Sequence, residues 1–157
     1  MIDASAIRMN TVTQQLIDGQ VTLAEWQGVM LEQIKLSHTS AAAAARGGWA
    51  QMSQSDWGAA GRMIRDQYDY LRNFAEQIAN GTQALDGRAL IRSDLYGDAA
   101  RGTFESMRRR YEQQQNGMTE ERRVLGTADH CPGCLAQAEL GWQPIGTLDP
   151  IGAEECI

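Results

Sequence analysis

The residues best suited to chemistry lie close together near the C-terminal end of the chain. Asp129-His130-Cys131-Pro132-Gly133-Cys134 is followed by Cys156, and these positions hold all three cysteines and one of the two histidines of the 157-residue sequence. A Cys-x-x-Cys turn points two sulfurs the same way and can seat half of a tetrahedral zinc site. Cys156 follows at close to the separation usual for the other half. The fourth ligand would be His130 or Asp129, or would lie beyond Ile157. His130 adjoins Cys131, and neighbouring residues do not easily ligate one ion. Cys131, Cys134, Cys156 and His130 are therefore the candidate metal ligands, and Zn the candidate cofactor. Two other readings stand beside this one: three small buried thiols packing a loop, or a disulfide closed on release into an oxidising medium. A cycling dithiol is a further chemistry, but such motifs usually open a helix after a strand in a βαβ setting, and no β/α alternation follows here. The zinc deaminase pattern fails, because His130 has Pro132 where a Glu is required and no other His-x-Glu occurs.

Elsewhere the sequence offers little for catalysis. The glycines are scattered and none leads into Lys-Ser/Thr, so no phosphate loop is present. Ser, His and Asp occur, but nothing fixes them as a triad. His38 falls in a helical stretch beside alanines, where packing or capping explains it better than catalysis. No catalytic residue is assigned, and the chain is not read as an enzyme. Two basic clusters, Arg108-Arg109-Arg110 and Arg122-Arg123, flank the boundary between body and tail. Such runs are usually solvated faces; if they converge, they can touch nucleic-acid phosphates or an acidic protein surface. Trp26, Trp49 and Trp57 suit core or inter-helix anchoring. Trp49, between two helices, is the candidate exposed binding anchor.

The elements that must position these groups are mostly helices. Residues 3–18 form a first short helix with Ile7, Val12 and Leu16 on one face, ended by Gly19. Thr22-Leu23-Ala24-Glu25 is a capping box that opens a second helix carrying Leu23, Trp26, Met30 and Ile34. That helix runs on through Ser37, His38 and the Ala41–Ala45 run to Arg46-Gly47-Gly48. After a linker over 49–54, a third helix starts near Ser55-Asp56. Its stripe of Trp57, Ala60, Ile64, Tyr68, Leu71, Phe74 or Ala75, and Ile78 ends at Asn80-Gly81. A loop over 82–87 leads to a fourth helical region over about 88–115, with Leu90, Ile91, Leu95, Tyr96, Phe104, Met107 and Tyr111 as its apolar set. Gly97 and Gly102 are expected to bend or divide it. From Met118 the character changes: a short strand over 121–126, the knuckle, one helical turn over 135–140, and a Pro/Gly-rich hairpin or loop that returns Cys156 to the knuckle. The expected fold class is mainly α. An antiparallel helical body spans residues 1–117, and a small Cys-pinned, loop-rich C-terminal module containing a short β element spans 118–157.

Composition narrows the partners. Hydrophobic residues make up 43% and aromatics 6%, enough for one modest core, and the net charge of −6 argues against a broadly basic nucleic-acid face. Neither a secretory leader nor an apolar run of about 20 residues is present, so a soluble protein made in the cytoplasm, with no membrane contact, is expected.

The tail also carries a family resemblance. The run from Glu121 to Cys134, Glu-Arg-Arg-Val-Leu-Gly-Thr-Ala-Asp-His-Cys-Pro-Gly-Cys, is followed by the Gly141-Trp142 turn, a Pro/Gly loop and Cys156. It resembles the C-terminal module of phage head morphogenesis proteins of the Mu F-like (minor head protein) type. The matching positions are Asp129, Cys131, Cys134, Gly141, Pro150, Gly152 and Cys156, and the resemblance covers about a quarter of the chain. Proteins of that type carry a further Cys-x-Cys-like element, which has no counterpart after Cys156. The resemblance implies a virion component made in the host cytoplasm and present in several copies, docking on capsid, portal or head-tail connector proteins, with contact to packaged DNA a further implication. The alternatives from a different class are a small zinc- or thiol-dependent regulator and a nucleic-acid-binding module that uses the two Arg clusters.

Overall fold

The computed structural model describes residues 2–127 and 129–149, without the side chains of Ile2 and Asp3. The chain is mainly helical. Helices α1 (Ile2–Ile17), α2 (Leu23–Ala45), α3 (Gln54–Ala79) and α4 (Gly87–Asn116) form the body, with a 3-10 turn over Trp49–Gln51 between α2 and α3. A small C-terminal unit follows: β1 (Glu120–Glu121), α5 (Pro132–Glu139) and β2 (Gln143–Pro144), with β1 and β2 paired antiparallel.

Helix α2 is the centre of the body and packs on α1, α3 and α4. Its capping box forms as the sequence requires: the Thr22 side chain accepts from the Glu25 amide at 3.2 Å, and Glu25 Oε2 accepts from the Thr22 amide at 2.8 Å. Those bonds hold the Glu25 carboxyl below its usual range. The core runs through Met9, Val12 and Leu16 of α1, Trp26, Met30 and Ile34 of α2, Leu71 and Phe74 of α3, and Tyr96 of α4. Trp26 meets Phe74 edge-on at 5.2 Å, Phe74 stacks on Tyr96 at 6.3 Å, and the Arg92 guanidinium lies over the Phe74 ring at 4.3 Å. Burial pushes the Tyr96 hydroxyl up to about 12. One polar knot crosses three helices inside this core. Thr13 Oγ1 accepts from Trp26 Nε1 at 2.9 Å and lies 3.0 Å from Ser93 Oγ, which satisfies the indole where no water reaches.

Several expectations are corrected. Ile7 is 66% exposed, and Met9 takes the buried place instead. The reason is the helix crossing: a Cβ at Gly97 would sit 2.9 Å from Ala6 Cβ, so the two backbones meet there. Neither Gly97 nor Gly102 divides α4, which is one continuous helix; Gly97 is where α1 and α4 meet. The same approach decides the face of α4. Small residues Ala89, Ser93, Gly97 and Ala100 turn inward, while Ile91 and Leu95, expected in the core, are more than 60% exposed. Helix α3 starts earlier than expected. Ser53 is the N-cap and Asp56 sits at the third helical position, completing a second capping box. Trp57 leaves the core stripe and stacks at 5.7 Å on Trp49, both rings partly in solvent. The strand expected over 121–126 shrinks to Glu120–Glu121, and the turn expected over 135–140 becomes an eight-residue helix that begins at Pro132. Gly117, at φ 63°, supplies the left-handed residue that stops α4.

Two buried polar contacts join α2 to its neighbours. Arg46, at the end of α2, pairs through Nε with Asp56 Oδ2 at 2.9 Å, and its guanidinium lies 4.9 Å over the Tyr111 ring. The Asp56 carboxylate also accepts from the Ser53 amide at 3.0 Å and the Ser53 hydroxyl at 2.7 Å. Burial pulls this carboxyl upward, but the Ser53 bonds and the Arg46 and Arg110 charges together hold it below its usual value. His38 of α2 packs against α4, with Nδ1 2.6 Å from Thr103 Oγ1 and Nε2 buried without a hydrogen-bond partner among the described residues. An unprotonated ring nitrogen left dry costs less than an N–H donor left dry, so the tautomer with Nδ1–H donating to Thr103 is favoured. Burial lowers the His38 pKa to about 4 and keeps the ring neutral.

Candidate functional site

The site is built on the far end of α4 and the unit that follows it. Glu121 is its hub. The residue stands in β1 opposite Gln143, and the Thr119 carbonyl accepts from the Ile145 amide at 2.9 Å, which extends the two-strand pairing. Glu121 Oε1 then accepts from the Gly146 amide at 2.9 Å and the Leu148 amide at 3.1 Å. Its other oxygen faces Arg109 Nε of α4 at 3.2 Å, and Arg109 Nη1 donates to the Leu148 carbonyl at 2.7 Å. One carboxylate and one guanidinium thereby clip the 143–148 loop to α4, and Leu148 is buried beneath them. Charge-assisted bonds of this kind are stronger than neutral ones.

The knuckle caps α5. Cys131 is the N-cap and its sulfur accepts from the Cys134 amide at 3.5 Å; Pro132 occupies the first helical position, where its missing N–H costs nothing. Both cysteines are half-buried. His130 Nε2 lies 3.3 Å from the Gly126 carbonyl and donates to it, so that nitrogen is turned to backbone. Among the described residues, no group of three or more His, Cys, Asp or Glu side chains is gathered as a metal cage. Of the expected ligands, Cys131 and Cys134 supply two sulfurs at one helix end, His130 turns Nε2 to the Gly126 carbonyl, and Cys156 lies outside the described residues. Pro150 and Gly152 lie outside them as well.

The five arginines of the two basic clusters do converge on this end of the molecule, though mostly to hold it together. Arg108 is exposed. Arg109 is committed to Glu121 and Leu148, and the Arg110 charge acts on Asp56. The Arg122 guanidinium stacks 5.0 Å over Trp142. Arg123 Nη2 donates to Gln137 Oε1 at 2.7 Å and to the Asp149 carbonyl, and Gln137 Nε2 donates to Asp149 Oδ2 at 2.9 Å. Trp49 stands in its exposed stack with Trp57.

Between α4 and the clip runs an open groove of about 310 Å³. Met118, Val124, Trp142 and Ile145 give it an apolar lining, with Glu105, Arg108, Glu112 and Arg122 around them. Val124 is 71% and Trp142 59% exposed. Sequence reasoning named Trp142 only as part of a turn and missed the hub role of Glu121 and the contribution of Gln137. The signal for Glu121 was faint: a carboxylate in a charged strand three residues after Gly117-Met118 and twelve after Arg109, with nothing to say that the chain doubles back. The His38–Thr103 contact is buried between α2 and α4. Among the described residues, no helix is long and apolar enough to cross a membrane. Comparison with protein-family models, with characterised proteins and with solved structures finds no match for the chain.

Proposed function

We propose that the chain is a structural and assembly component of a tailed-phage virion, a minor head protein that docks on capsid, portal or head-tail connector proteins. The observation that carries this reading is the clip itself. The described residues of the stretch whose sequence resembles the minor head module are held to the end of α4 through Glu121, Arg109 and Leu148, and an apolar groove runs beside that joint. Exposed Val124 and Trp142 beside charged rims suit a protein–protein interface, where aromatic anchors sit inside a polar border. The commitments of Arg109 and Arg123 to intramolecular partners weigh toward protein docking and away from the reading as a nucleic-acid module. In this role the protein is made in the host cytoplasm, is incorporated in several copies, and performs no catalysis. Zinc at the knuckle would act as a fastener, with Cys131 and Cys134 as two of its ligands.

The test is quantitative mass spectrometry of purified particles, paired with Trp142→Ala and Val124→Asp. The protein is expected in particles at a constant copy number, with the groove variants folding normally but depleted from them. Absence of the wild-type protein from intact particles would remove the proposal.

A further inference from the structure

We propose that the outward face of α4 is a symmetric interface on which a second copy of this chain docks, the two α4 helices lying antiparallel about a twofold axis at the level of residue 93. Arg88, Ile91, Leu95, Asp98 and Gly102 recur at alternating spacings of three and four along one continuous helix, so they share a single line. That line lies across the helix from Ala89, Ser93, Ala100 and Thr103, which are buried. The close crossing with α1 requires small side chains on the inner face, but it does not require large apolar ones on the outer face, where any polar residue would serve. Ile91 and Leu95 nevertheless stand in solvent, as does Tyr70 of α3. Leu95 and Tyr70 line a groove of about 300 Å³ between α3 and α4, which widens the apolar surface beside the line.

Charge and register single out a second copy as the occupant. The line has a cation, Arg88, on one side of its apolar pair and an anion, Asp98, on the other. An antiparallel copy sets Ile91 opposite the partner's Leu95 and Arg88 opposite the partner's Asp98, and the twofold axis makes each pairing occur twice. The result is an apolar centre inside a rim of opposite charges, the anatomy of a protein–protein interface. A parallel copy would set like charges against each other. Both charges have capacity to spare. Arg88 spends Nε and Nη2 on Asp86, out of the five N–H donors of a guanidinium. Asp98 meets Arg101 at 3.9 Å, too long for a hydrogen bond. Gly102 adds an independent sign. A glycine inside a helix is costly relative to alanine, and a Cβ here would meet nothing within 4 Å, so packing within the chain does not demand it. In the antiparallel register Gly102 is level with the partner's 84–85 segment, whose Leu85 is exposed, and the missing side chain leaves room for it. These five residues are distinct from those that line the clip groove, so the interface stands apart from the docking reading given above.

The experiment is sedimentation equilibrium of the full chain under reducing conditions, over concentrations from about 1 μM to about 1 mM, the range of a small symmetric contact. The wild type should pass from monomer to dimer and no further. Ile91→Glu, on an exposed position, should stay monomeric across the range with an unchanged circular dichroism spectrum. Arg88→Glu and Asp98→Arg should each weaken dimerisation about tenfold, since symmetry breaks two pairs at once, and the double variant should recover to within about threefold of the wild type. That recovery is a comparison among dimers, so it stands even if Ile91→Glu perturbs the fold. A wild type that is monomeric throughout overturns the proposal and leaves the face to a different protein. A dimer indifferent to Ile91→Glu overturns it by placing the contact elsewhere, and assembly beyond two copies overturns the closed twofold arrangement. A double variant as weak as the single ones overturns the antiparallel register.

Discussion

Acid should loosen this protein well before its carboxylates titrate, and His38 should be the cause. The ring is 1% exposed between α2 and α4, and burial lowers its pKa from 6.5 to about 4. A depressed histidine binds more protons unfolded than folded across that interval, so stability rises with pH there and falls as pH drops from about 6.5 toward about 4. At 1.36 kcal/mol per unit, a shift of roughly 2.5 units sets a ceiling of roughly 3 kcal/mol. Because the lower pKa is not yet reached at pH 5, the loss between pH 7.5 and 5 works out at about 2 kcal/mol. For a chain of this length that corresponds to a fall of about 4–8 °C in Tm. Glu25, Asp56 and Asp86 are all held below their usual values, so their contributions fade at lower pH and leave this window to the histidine. The assay is urea unfolding followed by far-ultraviolet circular dichroism at both pH values, on the wild type and on His38→Gln, whose amide keeps a donor for Thr103. The wild type should lose the stated amount and the variant should be nearly flat. A flat wild type, or a variant that loses as much, would refute the assignment of a buried neutral imidazole.

Other outcomes follow from the same contacts. Gly97→Ala brings a Cβ within 2.9 Å of Ala6 Cβ and should cost about 1–3 kcal/mol by calorimetry, with Ala6→Gly relieving part of it; additive costs would count against a backbone crossing there. Asp56→Ala leaves Arg46 buried without its counter-charge and removes the side-chain half of the capping box, so a loss of about 3–5 kcal/mol in denaturant unfolding is expected, and a loss under 1 kcal/mol would show the pair to be hydrated. Leu71→Ala, at a fully buried position of α3, should destabilise by about 2–5 kcal/mol, whereas Ile91→Ala on the exposed face of α4 should change stability by less than about 0.5 kcal/mol. Glu121→Gln should speed amide hydrogen exchange at Gly146 and Leu148 about fivefold to thirtyfold while the α2 amides keep their protection; unchanged exchange would mean that the loop is held by other contacts.

What could be read from the sequence was whatever short-range periodicity and capping control. The Thr22 capping box, the stripe of Trp26, Met30 and Ile34, the buried Leu71 and Phe74, and the glycine stops after Ile78 and Asn116 all follow from local rules. So does the change of character after Met118. The existence of a cap at Ser53 was legible in kind but displaced by two residues, because Ser53 and Ser55 are equally good N-caps and only Asp56 at the third position, held also by Arg46, selects the first. For the candidate site, the knuckle and the arginine clusters were visible as residue types, but their uses were not.

The tertiary structure decided which of several apolar faces turned inward and which charges became joints. Ile7, Ile91 and Leu95 have the composition of core residues, yet they face solvent because Gly97 and Ala6 let α1 and α4 touch, and a close crossing buries small side chains in preference to large ones. Trp57 left its helical stripe for Trp49 by the same kind of choice between equivalent faces. Arg109 and Glu121 form a joint only because β1 and β2 turn the chain back onto α4. Periodicity is a property of a few neighbouring residues, so the sequence by itself determined that these helices form and that a capped, cysteine-bearing unit follows them. Contact between Ala6 and Gly97, His38 and Thr103, or Arg109 and Leu148 depends on the path of the whole chain between them, and that was settled by packing.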